Sequence, residues 1–333
     1  MMARLLSILA WLLGALLALL VLAAVTLLWM SRPLGSHDLV SHPHPAAGYD
    51  EALARFERIG RSEPADVRPV CHSYLFGHGR RTGRAIVLLH GFTNCPRQFE
   101  AFAQLLYDRG ANVLVLRVPH HGLRDPLTRD PQWLTAEELA ALGDESVDIA
   151  RGLGDSVTVA GLSMGGNVAA WLAQERPDLD HAVLIAPLFG VSKVWRQMTP
   201  ALERGLLACP DFCVWWDDRL KERVGGPASA YPRFSTRALA QSLRLGLEVE
   251  EAARREPPHA RSIQIVTVGG DGAVRNDATA EVQNAWSRNA PGRVEGYEFP
   301  IAMGLGHDLI DPLQPYQQVG RVYPVLTEMM WPK

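Results

Sequence analysis

The chain has 333 residues, with 33 Lys plus Arg against 36 Asp plus Glu and a formal net charge of −3, so it carries neither a basic footprint for nucleic acid nor a polybasic arm for anionic lipid. That length suits one large domain with an insertion, and no internal repeat is apparent. The four cysteines show no metal-ligand spacing and His42-Pro43-His44 falls in a proline-bearing segment, so no metal and no cofactor are expected.

Residues 5–30 are almost wholly apolar, interrupted only by Ser7, Gly14 and Thr26. As a helix this run would reach about 39 Å, against a bilayer hydrocarbon core of about 30 Å. It continues far past the roughly 7–15 residues of a signal-peptide core and closes on Leu27-Leu28-Trp29-Met30, where a polar cleavage region would fall. The expectation is an uncleaved single-pass membrane anchor over residues 1–34, with Arg4 favouring an inside N-terminus and the rest of the chain periplasmic or otherwise extracytoplasmic. Residues 35–69 then read as an extracytoplasmic linker rich in Pro and His, with one short amphipathic helix around 49–56.

The first buried-strand run, 84–89, ends at His90-Gly91-Phe92-Thr93-Asn94, before a helix beginning near Pro96 and carrying Phe99, Phe102, Leu105 and Leu106. A second strand, 111–117, leads into Pro119-His120-His121-Gly122. The short β-branched run 156–160 meets Gly161-Leu162-Ser163-Met164-Gly165, and 166–174 reads as helix. A serine in a G-x-S-x-G turn between strand and helix is how a hydroxyl becomes a nucleophile, and the flanking glycines spare the crowded turn two side chains.

Residues 181–186 form a further strand, and the segment 190–258 that follows is longer than a crossover helix requires. It reads as an inserted cap, its Trp195, Met198, Phe212, Trp215, Trp216 and Tyr231 being candidates for an apolar roof over Ser163. The strand 262–268 runs into Gly269-Gly270-Asp271-Gly272, which makes Asp271 the candidate acid, with Asp277 a second choice. After a last strand at 297–299, Gly304-Leu305-Gly306-His307-Asp308 presents His307 as the candidate base. His37, His42, His44 and His72 precede the first core strand, His120 and His121 come too early for the order Ser, Asp, His, and His181 and His259 flank the amino ends of strands. Strands alternating with helices argue for an α/β fold around a mostly parallel sheet covered on both faces.

With these motifs in place, the stretch from about residue 85 to the C-terminus resembles bacterial α/β-hydrolases of the carboxylesterase and monoacylglycerol-lipase type. The resemblance rests on His90-Gly91-Phe92-Thr93, Pro119-His120-His121-Gly122, Gly161-Leu162-Ser163-Met164-Gly165-Gly166, Asp271-Gly272-Ala273-Val274 and Gly306-His307. It implies a catalytic domain over 70–333, with Ser163 as nucleophile, Asp271 as acid, His307 as base and the amides of Phe92 and Met164 as oxyanion hole. His90, Gly91, His120, Trp195, Trp215 and Trp216 are the candidate substrate contacts. The implied activity is hydrolysis of apolar or lipid-derived carboxylic esters by a membrane-tethered serine enzyme. An amidase or acyltransferase using the same triad, or a non-catalytic anchored binding module, are the alternatives. Two positions depart from the pattern: His120 stands where relatives carry a glycine, and Cys95 where a small serine is more familiar. Pairing of Cys209 with Cys213, of Cys71 with Cys95, and free thiols all stay open.

Overall fold

The computed structural model describes residues 2–30, 39–221, 229–315 and 317–331. Its strands are β1 (Tyr74–Phe76), β2 (Thr82–Leu89), β3 (Asn112–Val115), β4 (Gly154–Leu162), β5 (His181–Ile185), β6 (Cys213–Trp215), β7 (Arg233–Ser235), β8 (Ser262–Val268) and β9 (Val294–Phe299). Seven of them form one sheet in the order β1-β3-β2-β4-β5-β8-β9, while β6 and β7 pair as a separate antiparallel ribbon. All neighbours in the large sheet run parallel except β1, which lies antiparallel on the β3 edge.

The apolar runs explain that architecture. Residues 85–89, all of β3 and all of β5 are buried without alternation, as strands covered on both faces must be. Register carries the strand ends to one edge: Leu89 of β2 pairs with Gly161 of β4, and Leu162 of β4 with Ile185 of β5. The turns after β2, β4 and β5 therefore open side by side.

The helices are α1 (Met2–Met30), α2 (Tyr49–Ser62), α3 (Glu100–Asp108), α4 (Ala136–Leu153), α5 (Met164–Glu175), α6 (Thr199–Ala208), α7 (Thr236–Arg255), α8 (Asn276–Asn289) and α9 (Val319–Met329). Helix α4 starts in a capping box, Thr135 Oγ1 accepting the Glu138 N–H while Glu138 accepts the Thr135 N–H, which satisfies two donors that the first turn leaves orphaned. Arg176, fully buried at the end of α5, is held by Asp144, Asp148 and Asp178 at 3.1, 2.7 and 2.8 Å.

The segment expected as cap holds two kinds of structure. Helix α7 buries Leu239, Leu243 and Leu247 at a four-residue spacing and packs on α4, α5 and α8, within the helical cover of the sheet. Residues 190–235 hold α6 and the β6–β7 ribbon, and they reach over the strand ends; residues 222–228 lie outside the described residues.

The N-terminus corrects an expectation. Among the described residues no helix is long and apolar enough to cross a membrane. The single-pass anchor over 1–34, and the membrane placement and periplasmic localisation drawn from it, are not upheld. Residues 31–34 of the expected anchor and the first four residues of the expected linker, 35–38, lie outside the described residues.

Candidate active site

Ser163 occupies the single residue between β4 and α5, with φ 57° and ψ −114°. A side chain at either flanking glycine would collide with backbone: a Cβ on Gly161 would sit 2.0 Å from the Gly165 carbonyl oxygen, and one on Gly165 2.1 Å from that of Leu89. The serine N–H donates to the Ile185 oxygen at 2.9 Å, and its own carbonyl accepts from Asn167 and Leu188, so the turn is tied to β5 as well as to α5. The strained conformation is over-determined by these bonds. Thr93, His120 and Ala186 are the other non-glycine residues with positive φ among those described, and each follows a strand: β2, β3 and β5. Backbone strain is thus gathered along the carboxyl edge of the sheet.

Asp271 follows β8 and His307 lies in the loop after β9. His307 Nδ1 and Asp271 Oδ2 are 2.8 Å apart, and the Asp271 side chain is fully buried. Burial alone would raise the Asp271 pKa. The His307 hydrogen bond and charge, helped by the N–H groups of Ala273 and Val274 on Oδ1, outweigh it and hold the carboxyl below its ordinary range. Asp277, the second candidate, is turned instead to Arg275 at 2.6 Å. Ser163 and His307 both line a cavity of about 950 Å3. Among the described residues no hydrogen bond joins them.

The loop after β2 forms the facing wall. Gly91 N–H is already used, donating to Gln98 Oε1 at 2.7 Å, whereas the amides of Phe92 and Met164 donate to no acceptor among the described residues. Met164 opens α5, where first-turn N–H groups have no intrahelical partner and the dipole favours negative charge. Asp308, next to His307, accepts from Gln98 Nε2 at 2.8 Å, Gln314 Nε2 at 2.7 Å and Asn94 Nδ2 at 3.3 Å. Sequence reasoning missed this clamp: Asp308 is visible only as the neighbour of His307, and no spacing rule leads from it to Gln98.

Of the other candidate contacts, Gly91 and Trp216 line the cavity, and Trp216 Nε1 donates to Thr93 Oγ1 at 3.0 Å. His90 does not; it is fully buried, accepts the Val118 N–H on Nε2 at 3.0 Å and donates from Nδ1 to the Gly91 oxygen. Burial, with His121 nearby, pushes its imidazole down to about 3, so it stays neutral and supports the loop. His120 faces Asp130 and Glu138 at 2.8 and 3.3 Å, away from the cavity wall. Trp195 is exposed and Trp215 stacks with Arg233. Cys71 and Cys95 form a disulfide, while Cys209 and Cys213 are free thiols. Among the described residues no group of three or more His, Cys, Asp or Glu is placed to hold a metal ion.

The profile of the alpha/beta hydrolase family matches residues 86–321, which hold β3 to β9, the second half of β2 and the loops carrying Ser163, Asp271 and His307. The chain belongs to that family. Among curated proteins this family member is 32% identical over 133 residues to the sn-1-specific diacylglycerol lipase ABHD11 of Mus musculus, covering 39% of the chain and 41% of that protein. It is 27% identical over 114 residues to a thermostable monoacylglycerol lipase of Bacillus sp. (strain H-257), covering 34% of the chain and 44% of that protein. The matched stretches thus span less than half of these relatives' lengths. The crystal structure of a Paleococcus ferrophilus monoacylglycerol lipase superposes with a TM-score of 0.56 at 17% identity, covering 78% of this chain and 97% of that one, which shows a shared fold.

Proposed function

We propose that this chain hydrolyses carboxylic esters of apolar or lipid-derived acyl groups, with Ser163 as nucleophile, His307 as general base and Asp271 as its orienting acid. The observation that carries the reading is the meeting of Ser163 and His307 in one cavity, the imidazole held from behind by Asp271 at 2.8 Å. Its apolar wall, including Leu188, Val191, Tyr231, Phe234 and Leu239, suits an acyl chain, and the part of it from 190–258 gives that segment a cap role. The lipase names of the curated relatives point the same way.

In this reading the Ser163 hydroxyl attacks the ester carbonyl as His307 Nε2 takes its proton. The C–O bond to the alcohol breaks with proton return from the imidazolium, leaving an acyl-serine, and the same imidazole then activates water to release the acid. Asp271 keeps Nδ1 protonated and Nε2 free. The amides of Phe92 and Met164 are the donors for the tetrahedral oxyanion, one such donor being worth about 3 kcal/mol of barrier.

Hydrolysis of p-nitrophenyl esters from acetate to palmitate tests this with the full chain, Ser163→Ala, His307→Ala and Asp271→Asn. Turnover that collapses by ~10^3-fold or more in the variants supports the mechanism. A folded wild type no faster than Ser163→Ala on every ester overturns it.

A further inference from the structure

Thr93 couples the segment over the strand ends to the loop that carries the Phe92 amide. Its φ of 63° is a left-handed backbone that a β-branched residue adopts only where its surroundings impose it. Three hydrogen bonds impose it here. The Thr93 oxygen accepts the Tyr231 N–H at 2.8 Å, Oγ1 accepts the Trp216 Nε1–H at 3.0 Å, and the same hydroxyl donates to the Phe92 oxygen at 2.7 Å. The hydroxyl is therefore a relay: its lone pair takes the indole proton, its own proton goes to the Phe92 carbonyl, and each bond polarises it in favour of the other.

The neighbouring peptide is held as closely. The Gly91 carbonyl, coplanar with the Phe92 N–H, accepts from Asn94 N–H at 3.2 Å and from His90 Nδ1 at 3.0 Å. With the Phe92 carbonyl held too, the peptide planes on both sides of the Phe92 Cα are fixed, and the direction of its N–H depends on Thr93 as it does on Gly91.

Trp216 lies one residue past β6, its backbone N–H donating to the Pro232 oxygen at 3.2 Å. The side chain is 49% exposed, so water could satisfy its N–H and a phenyl ring could meet its packing. Instead the N–H is turned in to Thr93. The indole stands nearly perpendicular to Phe92 with centroids 6.2 Å apart and packs on Phe234 at 4.5 Å, and all three rings border the cavity that holds Ser163. One side chain thus meets the acyl cavity with its ring and the loop after β2 with its N–H.

We propose that Trp216 is a positioning residue that acts through Thr93 to hold the Phe92 amide on the oxyanion, while its ring favours apolar acyl chains long enough to reach it. This rests on the esterase reading above and gives one residue of the cap a part in both rate and chain-length preference.

The test is steady-state hydrolysis of p-nitrophenyl acetate and octanoate by the full chain and by Trp216→Phe, Trp216→Ala, Thr93→Ser and Thr93→Val, with thermal melts alongside. Trp216→Phe keeps a ring and loses the N–H, so kcat on both esters is expected to fall about tenfold with little change in KM, part of what loss of an oxyanion donor costs. Trp216→Ala is expected to add a several-fold rise in KM for the octanoate alone. Thr93→Ser keeps the hydroxyl and most of the wild-type kcat. Thr93→Val removes both bonds of the relay and falls at least as far as Trp216→Phe, which then costs nothing further when added to it. An unchanged kcat in Trp216→Phe, or a further tenfold loss on adding it to Thr93→Val, overturns the relay and leaves the esterase reading in place. An octanoate KM that Trp216→Ala does not move overturns the part in chain-length preference.

Should the wild type cleave no ester, the esterase reading fails and calorimetry with 1-octaneboronic acid decides the relay. Its boron bonds the Ser163 oxygen, the hydroxyl proton passes to His307, and the tetrahedral boronate presents an oxygen where the oxyanion would lie. Binding about tenfold weaker in Trp216→Phe upholds the relay; equal binding, or none to either protein, sinks it.

Discussion

Gln98 joins the two loops that face each other across the cavity: its Nε2 donates to Asp308 Oδ2 at 2.8 Å while its Oε1 accepts the Gly91 N–H at 2.7 Å. The residue after the candidate base thereby sets the position of the loop that presents the Phe92 amide. Gln98→Ala and Asp308→Ala are expected to lower kcat by about tenfold or more, part of what loss of an oxyanion donor costs, with a smaller change in KM. Steady-state kinetics beside thermal melts separates this from unfolding; unchanged kcat in both variants would sink the idea.

The elbow glycines are expected to be irreplaceable for fold as well as function. In Gly165→Ala the new methyl would lie 2.1 Å from the Leu89 oxygen and 2.6 Å from its carbonyl carbon, both backbone atoms of a central strand that cannot step aside. A loss of about 3 kcal/mol or more follows, at the upper end of overpacking costs. Urea denaturation reads it directly, and a midpoint within error of wild type contradicts the contact.

The Cys71–Cys95 bond ties the residues before β1 to the loop carrying Phe92 across a separation of 24 residues. Thiol titration of the folded chain should find two reactive groups, Cys209 and Cys213, and four after reduction and unfolding. Cys71→Ser is expected to cost about 3 kcal/mol in denaturant unfolding, the scale for closing a loop of that length. Four thiols titrating without reductant would remove the cross-link.

Glu203, fully buried on α6, has a carboxyl that burial raises to about 7 against the partial opposition of Arg204 and Arg244. Between an ordinary value of 4.5 and about 7 the folded chain holds a proton that the unfolded chain releases, so stability falls as pH rises across that window and levels off above it. Glu203→Gln should therefore gain on wild type between pH ~5 and ~8, by something on the order of 1–3 kcal/mol, and match it below about 4.5. Urea midpoints at the two pH values test the sign; an advantage confined to the acidic end would reverse the argument.

How much of this was legible follows from distance along the chain. Strand runs such as 85–89 and 181–185 declare themselves through unbroken β-branched and apolar residues, and the strand-turn-helix at Ser163 is written in five consecutive positions. Asp271 and His307 are readable because each follows a strand in a glycine-bearing loop. The Gln98–Asp308 clamp spans 210 positions, and the three acids around Arg176 come from α4 and from the turn after α5, so no local pattern announces either. The packing of α7 on α4, α5 and α8 joins elements from distant parts of the chain, so its apolar spacing alone does not say which helices cover it. At the N-terminus, hydropathy spoke for a membrane span that the described residues do not supply.

The span between Gln98 and Asp308 also orders events during synthesis. A chain released as far as residue 300 already contains the elbow serine, the loop with Phe92 and the strands that support both, but neither the imidazole nor the carboxylate that braces that loop. Nascent chains therefore carry the elbow hydroxyl without the imidazole proposed as its proton acceptor, and the proposed chemistry waits until the segment after β9 has left the ribosome and settled against the residues made first.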